Sequence, residues 1–356
     1  MKSKCLAVGI ILLFVGTCII PTIAQNAEKL VSASKGTWLY VGGSGPGNYS
    51  RIQDAIDNAS DGDTVLVFSG VYMENVYLNK SINLFGENRE TTIIDANKSG
   101  STISLGTYNV MISGFTIQDS EDGCAGIDIN YYWPPHDDCN NNIISGNKII
   151  NNNFGVQISY SSNNSIINNV IILNRRHGVL YQNCELSKVE NNIITNNAEA
   201  GWTGDAGIYL LNSNYITVRS NYIDGNSVSI DLYGTYSCDI SENSLSNNSA
   251  MGIFILGHNN RFYSNNFIGN TKDVTFIHNL FFPLQRNRFI KNYWDCYNGT
   301  GYQVIVGRCF LFIPTLIAEF IYTIIEGYPA DNPIYIKWLY FDLHPAQEPY
   351  DIPGMT

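Results

Sequence analysis

The sequence predicts an all-β fold, a parallel β-helix of about ten coils of ~22 residues, on three observations. A pair of asparagines five apart recurs: Asn147 and Asn152, Asn169 and Asn174, Asn192 and Asn197, Asn221 and Asn226, Asn243 and Asn248, Asn265 and Asn270, Asn287 and Asn292. Successive offsets of 22, 23, 29, 22, 22 and 22 hold the pairs in near-constant register. Between them lie short alternating runs such as Gly155-Val156-Gln157-Ile158 and Gly252-Ile253-Phe254-Ile255; period two over three or four residues means short strands. No helix-length segment separates these strands, so the chain coils directly from one to the next.

Composition agrees. Of 356 residues only 14% are charged, and 44 are Asn, which excludes long polar helices. Lys and Arg number 20 against 31 Asp and Glu, so 20 − 31 = −11; a phosphate backbone would be repelled, and nucleic acid is set aside as a partner.

In chain order, residues 1–24 read as an export signal: Lys2 and Lys4, an apolar run from Cys5 to Ile20, then Pro21 and Thr22-Ile23-Ala24. Left uncleaved, it is a membrane anchor. Ser50 with Gln53 spells a capping box, and Ile52, Ala55, Ile56 and Ala59 line one face, so residues 51–59 form a short helix that plugs the stack. The repeat domain spans residues 36–295, and residues 296–356 form an irregular C-terminal capping segment. Inside that segment, residues 304–325 are apolar enough to consider as a membrane anchor, but Arg308, Pro314 and Glu319 interrupt them; folding back over the coil is preferred. Ladder asparagines are expected at turns with left-handed backbone, each amide bonding its counterpart one coil away.

Cys124 with Cys139, and Cys296 with Cys309, are close enough to close short disulfide loops in an exported chain. Cys184 and Cys238, two coils apart, are expected to be thiols. Seven Asn-x-Ser/Thr triplets begin at Asn48, Asn58, Asn79, Asn97, Asn163, Asn247 and Asn298.

The N-terminal strings Ile52-Gln53-Asp54-Ala55-Ile56, Gly62-Asp63-Thr64-Val65, Gly70-Val71-Tyr72-Met73-Glu74 and Ile93-Ile94-Asp95 resemble the single-stranded right-handed parallel β-helix proteins of the pectin-lyase-like superfamily. The likeness is to the NosD-type repeat proteins of archaeal and bacterial surfaces. It covers about residues 36 to 295 and is specific for fold, not for activity. It implies that ligands lie on an outward strand face beside protruding loops. By register that face carries Asp128, Gln157, Leu180, Tyr209, Asp231 and Phe254, with Asn130, Ser159, Gln182, Leu211, Tyr233 and Leu256 two residues further along.

Candidate glycan contacts are Trp133, Trp202, Tyr209 and Tyr233, whose rings can stack on sugars. Candidate catalytic groups, should the protein be a polysaccharide lyase or epimerase on acidic glycans, are Asp128, His136, Arg175 and Asp231. Residues 131–138 resemble the site of β-helix mannuronan epimerases, but Pro134 stands at the acidic position and cannot transfer a proton. Arg175-Arg176-His177 is the dense cationic cluster that a polyuronate lyase would use. Asp137 and Asp138 are candidates for a calcium ion, against the reading of a solvated polar loop; no other cofactor is implied. Copper transfer needs clustered soft or imidazole ligands, and five Met and five His are scattered. The expected function is a non-catalytic exported or cell-surface protein, glycan-binding or structural, touching membrane only through the signal or residues 304–325.

Overall fold

A computed structural model describes residues 36–130, 139–198, 205–279, 286–311 and 334–352. The expected export signal and residues 312–325 lie outside them.

Each coil contributes one short strand to each of three parallel sheets. The first sheet runs from Trp38–Val41 to Arg288–Ile290, the second from Gly70–Met73 to Tyr293–Trp294, and the third from Val76–Leu78 to Val274–Asn279. Alternation places inward residues in columns along the stack, one per strand through most of the first sheet and two per strand through most of the third. In the first sheet the column is Ile112, Ile144, Ile166, Val189, Val218, Ile240, Phe262 and Phe289. All are buried. β-Branched residues fill the middle of the stack; aromatic rings fill its C-terminal end, where Phe267 stacks on Trp294 at 4.2 Å and Phe262 on Phe289 at 4.7 Å.

The asparagines form the expected ladders at two corners. Asn169 shows the unit: its backbone N and its Nδ2 both donate to Asn192 Oδ1, at 2.9 and 3.1 Å, while Nδ2 also reaches Ile144 O one coil back. Polar backbone that the corners bury is thereby satisfied. Two expectations are corrected. Left-handed backbone belongs to the residue before each ladder position, as at Asn168, Leu173, Asn191, Ser220 and Glu242, and not to the ladder asparagine. The side chain that must bond along the stack is freed from the strained angle. The last pair is also out of register. Asn265 bonds Asn292, and Asn287 bonds Asn260 at a third corner, both at a separation of 27.

The N-terminal helix is Ile52–Asn58. The expected Ser50 cap is absent; Glu74, from the next coil, accepts from Ile52 N at 2.9 Å and Gln53 N at 3.2 Å. A carboxylate satisfies two orphan donors at the positive helix end. Gln53 instead clamps Tyr77, donating to its O and accepting from its N.

The C-terminal segment is more regular than expected. Gln303–Leu311 and Ile334–Asp342 form an antiparallel hairpin. Its first strand continues the third sheet from Ile277–Asn279, and Asp342 pairs with Phe289 of the first. Residues 304–311 are thus strand, and among the described residues no helix is long and apolar enough to cross a membrane. Asp342 also ends the amide ladder: its Oδ2 accepts from Asn292 N, Asn292 Nδ2 and Trp294 Nε1 at 2.8 to 3.3 Å. Cys124, Cys139 and Cys296 carry thiols, not the expected disulfides. Cys184 and Cys238 are buried thiols donating to Ile158 O and Ser213 O.

Candidate functional site

Outward residues of the third sheet form two rows in the expected register. Asp128, Gln157, Leu180, Tyr209, Asp231 and Phe254 are consecutive partners, and so are Asn130, Ser159, Gln182, Leu211, Tyr233 and Leu256. The structure brings three candidates together: Tyr209 and Asp231 are adjacent rungs, ~4.8 Å apart by strand spacing, and Tyr233 follows Asp231 on the same face.

Asp231 is the unusual member. It is 9% exposed, and its Oδ1 is buried with no hydrogen-bond partner. Burial pushes its carboxyl up to about 7. The Tyr209 phenol is pushed up to about 12, by burial first and then by the charge of Asp231. Tyr233 remains 45% exposed. Just after it the register shifts between Tyr233 and Thr235, where Gly234 has φ +68 and a Cβ would meet Asn212 Oδ1 at 2.2 Å. A bulge needing glycine re-aims the strand beside the tyrosine.

Asp128 repeats the pattern lower down, with a buried, unpartnered Oδ1 and a carboxyl raised by burial to about 6. It is four rungs from Asp231, ~19 Å by strand spacing. Paired glycosidase carboxylates sit about 5 to 10 Å apart, so these two do not form an acid–base pair.

The cationic cluster is committed elsewhere. Arg175 forms an ion pair with Asp122. Arg176 lies 3.2 Å from Asp205 and over the Phe154 ring at 5.2 Å. His177 is 4% exposed, and its Nδ1 accepts from Ala206 N at 3.0 Å. Burial pushes its pKa down to about 4, keeping it neutral, while its ring packs on Tyr209 at 4.8 Å and Phe154 at 5.8 Å. His136, Trp133, Asp137, Asp138 and Trp202 lie outside the described residues.

Sequence reasoning missed His177 and Phe154 as the floor under Tyr209. It also missed a second aromatic file, in which Tyr236 meets Tyr215 at 5.3 Å and His258 at 5.8 Å. These three recur one coil apart, the same spacing that revealed the asparagines. Among the described residues, Asp273, Asp295 and Cys296 are the one group of three metal-capable side chains. Cys296 donates to Asp273 Oδ2 at 3.4 Å, and burial, then Asp273, pushes its thiol up to about 11.

Comparison with known proteins agrees with this architecture. A cell surface glycoprotein of Methanothermus fervidus is 40% identical over 78 residues, which are 21% of this chain and 13% of that protein. The chain thus matches only a small part of the relative's length. Pectate lyase Pel9A superposes with a TM-score of 0.53 at 13% identity, over 74% of this chain and 81% of that one. The PL6 family alginate lyase AlyGC gives 0.52 at 16% identity, over 67% and 36%. At such identity these two show the fold alone. Residues 56–308 match the family described as periplasmic copper-binding protein (NosD); that match spans well over half of the sequence, and the chain belongs to the NosD family of parallel β-helix proteins.

Proposed function

We propose that this is an exported, cell-surface β-helix protein whose third sheet binds a neutral, hydroxyl-rich glycan without cleaving it. The observation that carries this reading is the Asp231 Oδ1, buried and without a hydrogen-bond partner, on a carboxyl between Tyr209 and Phe254 and beside Tyr233. Native interiors pair their polar atoms, so an orphaned oxygen on an outward row suits a ligand hydroxyl. Tyrosine faces supply the apolar contact for a sugar ring. An acidic glycan suits the face less well, because the chain carries −11 overall and Arg175 and Arg176 are held by Asp122 and Asp205. The likeness to a cell surface glycoprotein and a periplasmic family supports a location outside the cytoplasm.

The family description names copper, and the described residues do not fit it. Asp273 and Asp295 are hard oxygen donors, and the Cys296 thiol resists ionisation, whereas copper favours thiolate, thioether and imidazole. His177 already spends Nδ1 on Ala206.

A glycan array tests the proposal. Binding to a neutral glycan is expected, falling about tenfold or more in Tyr209→Ala and Tyr233→Ala, with Trp133→Ala and Trp202→Ala testing the flanking loops. Release of unsaturated uronate from acidic polysaccharides would instead establish the lyase reading.

A further inference from the structure

We propose that Asn79, Asn97, Asn163 and Asn247 are N-glycosylation sites whose glycans line both rims of the third sheet. Each opens an Asn-x-Ser triplet, ending at Ser81, Ser99, Ser165 and Ser249. All four side chains are exposed. The buried ladder asparagines open no such triplet, so the two populations of Asn are separated both by burial and by the residue two places on.

Their placement is not uniform. Asn79 follows the strand Val76–Leu78 and Asn163 follows Phe154–Ser159, both at the corner leading from the third sheet to the first. Asn97 follows Thr92–Asp95 and Asn247 follows Ser244–Ser246, both at the corner leading from the second sheet into the third. From Thr64 to Trp294 the remaining corner, between the first and second sheets, carries no triplet; Asn48 lies before the helix, after the strand Trp38–Val41. The two outward rows carry none either. Sugars at Asn163 and Asn247, three rungs and one rung from Asp231, would flank the Tyr209 and Asp231 face while leaving it bare, and those at Asn79 and Asn97 would border the N-terminal end of the same sheet.

The reacting atom is Nδ2. In Asn79 and Asn97 it makes no hydrogen bond among the described residues. In Asn247 it donates to Asp224 Oδ1 at 2.8 Å, and in Asn163 to Asn141 Oδ1; a glycosylated amide keeps one N–H, so those bonds survive. The donor is a lipid-phosphate-linked oligosaccharide. Nδ2 attacks the anomeric carbon, a C–N bond forms, the anomeric C–O bond breaks, the lipid phosphate leaves with the electron pair, and the displaced amide proton passes to a base of the transferase. No electrons are gained or lost.

This inference does not depend on the glycan-binding reading. The test is mass spectrometry of peptides from the protein purified from the envelope of the cells that make it. Peptides containing Asn79 and Asn97 are expected to carry a common saccharide mass. Asn97 sits at φ +51, so Ser99→Ala, which leaves it in place, is the discriminating variant. It should abolish the modification at Asn97 and spare Asn79. Unmodified masses at all four sites, saccharide found only at Asn48, Asn58 or Asn298, or modification of Asn97 that survives Ser99→Ala would each overturn the proposal.

Discussion

Two sets of polar side chains, the ladder amides and the outward carboxyls, are treated oppositely. At the ladder corners Asn221 accepts from Asn192 and donates to Val189 O, Arg219 O and Asn243 Oδ1. On the outward rows Asp231 is buried and Asp128 half-buried, yet each leaves one enclosed oxygen unpaired. The first pattern lowers the energy of the fold; the second raises it, and a fold rarely keeps such a cost without a use. Stability should therefore fall when the ladder is cut and rise when an outward carboxylate is neutralised.

The largest effect is expected at the ladder centre. Asn221→Ala strands several buried donors and acceptors on the coils either side, and should cost roughly 4 kcal/mol, read from urea unfolding. A loss under about 1 kcal/mol would make the ladder ornamental. Asp342→Ala removes the acceptor that closes the same ladder and should cost about 3 kcal/mol; Asp342→Asn, retaining one acceptor oxygen, should recover part of it.

Asp231→Asn should move the other way. Burial raises this carboxyl from 3.8 to about 7, so the folded state holds a proton that the unfolded chain gives up between those values. Stability is then greatest below the lower value, falls as pH rises towards 7 and stays reduced above it. Asp128, raised to about 6, adds to the fall in the lower part of that window. At pH 8 the Asn variant should gain roughly 2 kcal/mol over the parent, and below pH 4 nothing. An equal difference at both pH values would separate the effect from ionisation.

The smallest effect tests the backbone. Leu173 is 52% exposed and holds φ +55 just before Asn174, a conformation that costs a branched side chain about 1 kcal/mol or more. Leu173→Gly should therefore stabilise by about 1 kcal/mol; a loss would mean that the side chain packs usefully.

The ladder and the outward register were legible because both repeat once per coil. What the sequence concealed were contacts made once. Asn287 follows Asn265 by a tempting 22 residues, yet the true partner is Asn292, because the last coil is longer. Glu74 capping the helix from the next coil, and Asp342 closing the ladder from beyond a hairpin, are single long-range contacts with no periodic trace. The orphaned state of Asp231 was equally invisible, since a register argument gives a side chain's direction but not its solvent.

The affinity of Asp231→Leu, which takes both carboxyl oxygens out of the row at similar volume, for the glycan that the parent binds tests the account most directly. If the unpaired oxygen is kept for a ligand, the variant will be more stable at pH 8 and bind at least about tenfold more weakly. A variant that is stabilised and binds as the parent does would contradict it.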